Sequence, residues 1–399
     1  MTLHVFLVAG EESGDRLGAA LMRALKARTA GGVKFSGVGG RAMAEQGLAS
    51  LFPLGELAIM GFAAIPARLA KIFRRIRQTA DAAVAAKPDV LVIIDSPEFT
   101  HRVARRVRRQ APQIPIVDYV CPSVWAWRPG RARAMRAYID HVLALLPFEP
   151  AVLRQLGGPP SNYVGHPLGE HVQELRPNVE EMQRRESVPP LMLVLPGSRT
   201  GEINRMKGVF GEAIARVREK LGELEIVVPT VPHVADVAKA AVEQWGFPAR
   251  VVSDPGVKNA AFRRARVALT KSGTSTLELA VAGVPMVAAY KVSTLEAVVG
   301  QMMITAPSAI LANLVLGENV VPEFLQWYCT ADALTGALLP LFDDTPERRR
   351  QLSAFARLDD VMEIGGVSAS DRAATIVLEC AGGLNQSGPG AVASDPPRA

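Results

Sequence analysis

The chain has three cysteines, few aromatic residues and no apolar run long enough to span a membrane. Cys121, Cys329 and Cys380 lie far apart and in none of the spacings of zinc ligands. This pattern excludes a disulfide framework and indicates a reducing compartment. No other group of metal-ligand residues stands out, so we expect neither a metal nor a cofactor. Residues 1–10 have no basic segment before their apolar run, so we expect no signal peptide.

The composition is typical of a globular enzyme with enough residues for two full cores. The chain has 399 residues, of which 49% are hydrophobic and 21% are charged. Its formal net charge of +6 favours anionic partners, although many basic enzymes bind nothing through such a charge. The basic residues are scattered over helices without a recognisable nucleic-acid module, so we expect no nucleic-acid partner.

Apolar strand-like runs alternate with glycine loops and amphipathic helices, which is typical of α/β domains. An unbroken Val/Leu/Ile run within residues 88–96 indicates a strand buried on both faces of a parallel sheet. We therefore expect two Rossmann-like domains that face an interdomain cleft. The predicted divisions are a first domain (1–168), a polar crossing (169–190), a second domain (191–349), a helical segment that packs back on the first domain (350–380) and a disordered tail (381–399).

The second domain contains a strand, Val267–Thr270, followed by a hydroxyl-rich loop. Ser275 and Glu278 have the spacing of a capping box at the start of a short helix. Free N–H groups there predict a phosphate site that includes Gly273, Thr274 and Ser275. Glu278 is also placed to accept hydrogen bonds from a ribose diol. The alternative is that Ser275 and Glu278 only cap the helix.

Two other positions in this domain are candidates for ligand binding. Arg199, with Ser198 beside it, lies in a Gly/Ser loop at a predicted helix N-terminus, which favours binding of a diphosphate. Asn313 interrupts an apolar run and needs a hydrogen-bonding partner if it is buried. A ligand and a core backbone carbonyl are the two alternatives for that partner.

Acidic residues follow two strands of the first domain. The loop Gly10–Asp15 precedes a predicted helix, Arg16–Ala27, for which Ser13 is a candidate cap; Glu11 is less easily explained as a cap. Asp95 ends the strand within residues 88–96 and precedes Ser96, the predicted N-cap of the next helix. Because Ser96 supplies the cap, Asp95 is a candidate general base, and the alternative is a bond to a neighbouring loop.

A loop with two tryptophans and three arginines follows a further strand of this domain. Trp125 and Trp127 offer stacking surface, whereas Arg128, Arg131 and Arg133 offer anion binding. The alternative is that the tryptophans fix a long loop to the core.

An apolar segment, residues 57–66, leads into a basic amphipathic stretch that ends near Gln78. This combination is a candidate for contact with an anionic membrane surface. The alternative is a solvated helix face, because most basic stripes contact only water. The candidate membrane residues are Ile59, Met60, Phe62, Arg68, Lys71, Arg74 and Arg75.

A series of short motifs runs in order over residues 3–380 and together resembles the lipid-A-disaccharide synthase family. The motifs are Val8–Asp15, Met60-Gly61, Ile94–Phe99, Pro122–Arg128, Leu146–Glu149, Gly165–Pro167, Leu195–Arg199, Ser272–Glu278 and Asn313-Leu314. The resemblance implies a GT-B fold and an inverting glycosyltransferase. It also implies the substrates UDP-2,3-diacylglucosamine and 2,3-diacylglucosamine 1-phosphate (lipid X), and a β-1,6-linked disaccharide product with release of UDP.

The resemblance also implies roles for individual residues. Asp95 matches the proposed general base of the family, and Glu11 matches an acidic residue important for activity. Arg199, Glu278 and Asn313 match donor-side positions. The acceptor and phosphate candidates are Ser13, Trp127, Arg128 and Arg131. The chain departs from some relatives in having Leu-Ala-Asn-Leu where they have Leu-Pro-Asn-Leu.

From these features we expect a metal-independent enzyme of the cytoplasm that associates peripherally with the inner face of the inner membrane. The sequence does not determine the oligomeric state, and a homo-oligomer is compatible with it. Three rival functions share the pattern: a UDP-N-acetylglucosamine 2-epimerase, the glycosyltransferase of peptidoglycan synthesis, and a membrane-binding scaffold with a vestigial nucleotide site.

Overall fold

The computed structural model describes residues 2–57, 65–292 and 306–382, and for residues 65–69 it describes the backbone alone. The predicted membrane residues Ile59, Met60 and Phe62, and residues 383–399 of the predicted tail, lie outside this description. No helix in the described parts of the chain is long and apolar enough to cross a membrane.

The first domain is built on a parallel sheet of six strands in the order β2-β1-β3-β4-β5-β6. Its strands are β1 (Leu3–Ala9), β2 (Val33–Val38), β3 (Val90–Ile94), β4 (Ile116–Tyr119), β5 (His141–Ala144) and β6 (Ser161–Tyr163). Its helices of five or more residues are α1 (Glu12–Arg28), α2 (Arg41–Glu45), α3 (Ile65–Ala86), α4 (Pro97–Gln110), α5 (Gly130–Met135) and α6 (Glu149–Gln155).

The second domain has its own parallel sheet of six strands, in the order β12-β11-β10-β7-β8-β9. The strands are β7 (Leu191–Leu195), β8 (Glu225–Pro229), β9 (Arg250–Val252), β10 (Val267–Lys271), β11 (Met286–Tyr290) and β12 (Glu323–Leu325). The crossing carries α7 (Val172–Leu175) and α8 (Val179–Arg184). The later helices are α9 (Thr200–Leu221), α10 (Ala235–Glu243), α11 (Pro255–Arg264), α12 (Ser275–Val281), α13 (Leu311–Leu316), α14 (Ala331–Leu338), α15 (Pro346–Ala356), α16 (Leu358–Val361) and α17 (Ala369–Ala381).

Strand β3 is buried at all five positions, as the unbroken apolar run predicted. Alternate side chains of a strand point to opposite faces, so β3 contributes to two cores. Leu91 and Ile93 pack in the core under α3 and α4, whereas Val92 and Ile94 pack in the core under α1. The sheet is therefore covered by helices on both faces, which is the arrangement that a parallel sheet requires.

The C-terminal part of the chain divides between the two cores. Ala373, Ala374 and Val377 of α17 pack in the same core as α1. Phe355 and Leu358, in contrast, pack in a core of the second domain. The prediction that all of 350–380 packs back on the first domain is therefore wrong for its first part, because its apolar side chains fill the second core.

Candidate active site

The carboxyl ends of β1 and β3 are adjacent, because Ala9 pairs with Ile94 in the register of the sheet. The residues that follow these two strands therefore meet at one edge. Gly10 makes the close approach: a Cβ atom at this position would lie 2.3 Å from Ser96 Cβ. No larger residue fits there without a shift of one of the two loops.

Four side chains form a hydrogen-bonded cluster at this edge. Ser13 Oγ donates to Asp95 Oδ2 at 2.9 Å, and the Ser96 N–H donates to Asp95 Oδ1 at 2.7 Å. Ser96 Oγ donates to Glu11 Oε1 at 2.8 Å. Both Asp95 and Ser96 have left-handed backbones, with φ of 54° and 46°. Strained backbone of this kind is found more often at functional sites. The structure thus brings the predicted acids Glu11 and Asp95 together.

The predicted capping roles in this region are wrong. Helix α1 begins at Glu12, four residues earlier than predicted, and Ser13 lies within its first turn. Ser96 occupies the N-cap position of α4, but its hydroxyl binds Glu11 and makes no capping bond. Asp15 instead accepts hydrogen bonds from the N–H groups of Gly40, Ala42 and Met43 and so caps α2. These side chains form hydrogen bonds with residues distant in sequence instead of capping the helices that follow them.

This edge faces a cleft of about 1300 Å³ to which both domains contribute. Gly10, Glu11, Ser13 and Ser96 line it from the first domain, and Arg199 lines it from the second. The Arg199 side chain is 82% exposed, and one of its amino groups lies 3.6 Å from Glu202 Oε1. The wall from the first domain therefore carries Glu11, and Asp95 is hydrogen-bonded to the lining residues Ser13 and Ser96. The wall from the second domain carries the exposed Arg199 guanidinium.

A smaller pocket of about 130 Å³ collects most of the predicted donor-side residues. Ser198, Gly273, Thr274 and Ser275 line it, together with Lys271 and Lys258. The capping box is absent: Thr274 holds the N-cap position, and Ser275 makes no side-chain cap. Glu278 accepts a hydrogen bond from Lys258 Nζ at 2.7 Å instead.

Two lysines that line this pocket, Lys258 and Lys271, were missed from the sequence, as was the buried Glu202 that contacts Lys271. Lys271 Nζ lies 3.1 Å from Glu202 Oε1, and Glu202 Oε2 accepts a hydrogen bond from the Ser198 N–H at 3.0 Å. Glu202 is buried, so this contact holds Lys271 at the mouth of the loop. The position of Lys271 at the carboxyl end of β10 was the available signal, because ligands of parallel sheets bind at that edge.

The hydrogen-bonding partners of Asn313 are backbone groups of the core, which is the second of the two alternatives left by the sequence. Its Oδ1 accepts from the N–H groups of Val320 and Val321, and its Nδ2 donates to the Val321 carbonyl at 2.9 Å. The residue is buried within the protein. Its amide therefore orders a loop of the second domain, and direct ligand binding by Asn313 has no support in this geometry.

The tryptophan loop combines both predicted roles. Trp125 packs edge-on against Phe148 and donates from Nε1 to Glu149 Oε1 at 3.1 Å, so it fixes the loop to the core. Trp127 is exposed and stacks under the Arg128 guanidinium at 4.4 Å. Arg131 lies 3.8 Å from Glu98. The loop therefore presents the Trp127 ring and the Arg128 guanidinium at the surface, whereas Arg131 is half-buried.

Glu149 is buried beneath this loop and also accepts hydrogen bonds from the N–H groups of Leu145 and Leu146. Burial raises the pKa of Glu149 to about 7, although these donors oppose the rise. His166 has the opposite shift: burial lowers its pKa to about 4. Its Nδ1 accepts a hydrogen bond from the Leu168 N–H at 3.1 Å, which is a structural role in the turn between the domains.

Two of the predicted basic membrane residues in α3 are paired with an acidic residue. Lys71 and Arg75 both contact Glu56, at 3.1 and 2.6 Å. The hydrogen bonds from Arg75 and Lys71 lower the pKa of Glu56. Arg74 is exposed, whereas the Arg68 side chain lies outside the description. Among the predicted basic residues whose side chains the structure describes, Arg74 is thus the one that forms no ion pair with Glu56.

The family model and the relatives that match this chain all point to the same family. A family model described as lipid-A-disaccharide synthetase matches residues 5–378. A lipid-A-disaccharide synthase of Rhodopseudomonas palustris is 60% identical over 375 residues, which is 94% of this chain and 95% of the relative. One of Nitrobacter hamburgensis is also 60% identical, over 376 residues and the same shares of the two chains.

Solved structures resemble the fold at low sequence identity. UDP-GlcNAc 2-epimerase from Neisseria meningitidis has a TM-score of 0.62 at 13% identity, covering 94% of this chain and 100% of that one. MurG of Acinetobacter baumannii has a TM-score of 0.55 at 14% identity, covering 94% and 99%. These similarities support two Rossmann-like domains in the GT-B arrangement.

Proposed function

The chain belongs to the lipid-A-disaccharide synthetase family, and we propose how its two-domain cleft carries out the reaction. It is a glycosyltransferase that forms the lipid A disaccharide. In the proposed reaction, the 6-hydroxyl of lipid X attacks the anomeric carbon of UDP-2,3-diacylglucosamine. A β-1,6 bond forms, the bond from the anomeric carbon to the UDP oxygen breaks, and UDP leaves with that electron pair.

Asp95 is the proposed general base. One carboxylate oxygen takes the proton of the acceptor hydroxyl as the new bond forms. Ser13 and the Ser96 N–H each donate to this carboxylate, so it is held in one orientation at the cleft edge. Direct attack by the acceptor inverts the anomeric configuration. This cluster of Ser13, Asp95, Ser96 and Glu11 beside a two-domain cleft is the observation that carries the proposal.

The charge on the departing UDP is balanced by residues of the second domain in this proposal. Arg199 is exposed in the cleft, and Lys271 and Lys258 line the adjacent pocket with the hydroxyl-rich loop. Helix α12 has only seven residues, so these cations supply more of the stabilisation than the helix dipole does. No metal is needed in this scheme, and retention of turnover in EDTA tests that feature.

The substrates place the enzyme beside a membrane in this proposal. Diacylated sugars partition into lipid, and exposed basic residues of α3 and α4 favour an anionic surface. We therefore propose peripheral association with the inner face of the inner membrane, weakened by salt.

The direct test is product formation from UDP-2,3-diacylglucosamine and lipid X in neutral detergent, followed by mass spectrometry. We expect a disaccharide 1-phosphate and an equal amount of UDP. A parallel reaction with UDP-N-acetylglucosamine alone tests the epimerase alternative, and we expect no epimer. Epimerisation without any disaccharide would contradict the proposal, as would a folded protein that turns over neither substrate set.

A further inference from the structure

A groove of about 630 Å³ lies between α3, α4 and the tryptophan loop. Among the described residues, seven arginines and a single acidic residue, Glu98, line this groove. It begins at Pro97, two residues after Asp95, and extends along α4 to Arg109. Such an excess of one charge on facing elements marks a site for an anion.

One wall of the groove is fixed by buried polar groups. Arg105 stacks on the Tyr138 ring at 4.6 Å and donates to its hydroxyl at 3.1 Å. The Tyr138 hydroxyl lies 3.1 Å from His101 Nδ1, and His101 Nε2 lies 3.1 Å from Asp118 Oδ2. His101 and Asp118 are both buried. Arg105 and this wall of the groove are thus anchored to buried residues of the core.

The far end of the groove lies beyond the reach of the acceptor. Pro97 and Arg109 are twelve residues apart on one helix, which corresponds to about 18 Å along its axis. The reacting hydroxyl and the phosphate of lipid X are separated by one sugar ring. A phosphate on an acceptor that reacts at Asp95 would therefore lie nearer to the Pro97 end of the groove than to Arg109.

The mouth of the groove combines charge with exposed apolar surface. Phe73 of α3 is 53% exposed and lies 5.5 Å beneath the Arg102 guanidinium. An aromatic ring beside cationic groups suits the interface of a bilayer, where the ring enters the headgroup layer and arginines bind phosphate. The exposed Arg74 lies on the same helix as Phe73.

We propose that this groove binds the phosphate headgroups of anionic membrane phospholipids, with Arg102 and Arg109 as principal contacts. Bound headgroups would seat the α3–α4 face on the bilayer, with the start of α4 and hence Asp95 near the lipid surface. The inference rests on the proposed membrane association but adds a defined site on α4, which the basic stripe of α3 did not include.

The test is binding to phosphatidylcholine vesicles with and without phosphatidylglycerol. The variant Arg102→Gln/Arg109→Gln removes two exposed charges from the groove. Its control, Arg23→Gln/Lys239→Gln, removes two exposed charges from α1, on the opposite face of the first sheet, and from α10 in the second domain. Melting temperatures of both variants verify that they fold.

We expect the groove variant to bind phosphatidylglycerol vesicles about 30-fold more weakly than wild type, and the control to bind as wild type does. Equal losses in the two variants would overturn the proposal, because net charge alone would then explain binding. Displacement of wild type from vesicles by inorganic phosphate, beyond that by chloride of equal ionic strength, would overturn it in favour of a soluble phosphate ligand.

Turnover in neutral detergent separates this inference from the proposed function. A higher KM for lipid X in the groove variant, with unchanged vesicle binding, would overturn the inference and assign the groove to the acceptor. If wild type binds the anionic vesicles through Arg102 and Arg109 but forms no disaccharide, the proposed function fails while the lipid site stands.

Discussion

Ser13 Oγ donates a hydrogen bond to Asp95 Oδ2 at 2.9 Å and so joins the first turn of α1 to the end of β3. A hydroxyl donor orients the carboxylate without neutralising it, and the second oxygen is held by the Ser96 N–H. The relationship makes Ser13 a positioning residue for the proposed base.

Replacing Ser13 with alanine tests this role. We expect Ser13→Ala to lower kcat about 10-fold, because a hydrogen bond to a charged group is worth about 1.5–3 kcal/mol and part of it is replaced by water. KM for both substrates should change little. Ser187→Ala, which removes an exposed hydroxyl in the crossing, is the control. Equal kcat values for Ser13→Ala and wild type would remove Ser13 from the mechanism.

Gly10 is the tightest packing point of the site. The added methyl in Gly10→Ala meets Ser96 Cβ at 2.3 Å, so we expect a loss of about 1–3 kcal/mol in stability and a loss of activity. Gly208→Ala is a matched control: it lies in the interior of α9 with nothing within 4 Å of the added carbon. Since alanine is a better helix former, this control should be stabilised by about 0.5–1 kcal/mol.

A second change separates packing from chemistry at Gly10. The double variant Gly10→Ala/Ser96→Gly removes the clashing Cβ, and glycine suits the left-handed backbone at position 96. Thermal denaturation should show recovered stability, whereas turnover should stay low because Glu11 loses its partner. A double variant as unstable as Gly10→Ala would show that another contact causes the loss.

We expect Arg199 to contribute to the affinity for UDP and not to the stability of the fold. Its side chain is 82% exposed, so Arg199→Gln should leave the melting temperature unchanged. We expect affinity for UDP, measured by calorimetry, to fall about 10–100-fold, as for loss of a charge-assisted hydrogen bond. Lys220→Gln, at the other end of α9, is the control for charge. Unchanged UDP affinity would place the diphosphate elsewhere.

Glu149 should make stability depend on pH. Its pKa rises from 4.5 to about 7 in the folded protein, so folding is most favourable while the group stays protonated. The contribution is lost as pH rises from about 4.5 through 7, to a limit of about 3 kcal/mol. Glu149→Gln does not titrate, so the melting temperature of wild type should fall relative to this variant over that range.

The measurement is a series of melting curves between these pH values, with Glu219→Gln as the exposed control. The melting temperature of wild type should fall relative to that of Glu149→Gln as pH rises, whereas wild type and the control should run parallel. A constant difference for Glu149→Gln would mean that the carboxyl group titrates normally in the folded protein.

The strands and the edge at which the site forms could be predicted from the sequence, because both follow from local apolar patterns. The predicted strand Val267–Thr270 corresponds to β10 (Val267–Lys271), and the strand predicted within residues 88–96 corresponds to β3 (Val90–Ile94). The hydrogen-bonding partners of individual polar side chains could not be predicted from the sequence. Ser96 binds Glu11, which is 85 residues away, and Glu278 binds Lys258, which is 20 residues away. Local capping rules favoured nearer partners for Ser96 and Glu278, and tertiary packing offered better ones.

The same limit applies to the arginines of α4. The sequence shows a basic helix, but only the packing of α3 and the tryptophan loop against α4 makes it a groove. Lys271 was missed for a related reason: its role depends on buried Glu202, which comes from the loop–helix unit after β7. Residues that are distant in sequence but adjacent in space define both sites.

The central claim is that Asp95 is the general base, and Asp95→Asn tests it most directly. The variant keeps the shape of the side chain, and Asp236→Asn, at an exposed residue of α10, is the control. We predict that disaccharide formation by Asp95→Asn, in detergent with both substrates saturating, falls by about two to four orders of magnitude while UDP affinity is retained. Turnover close to that of wild type would contradict the claim and assign the proton to Glu11.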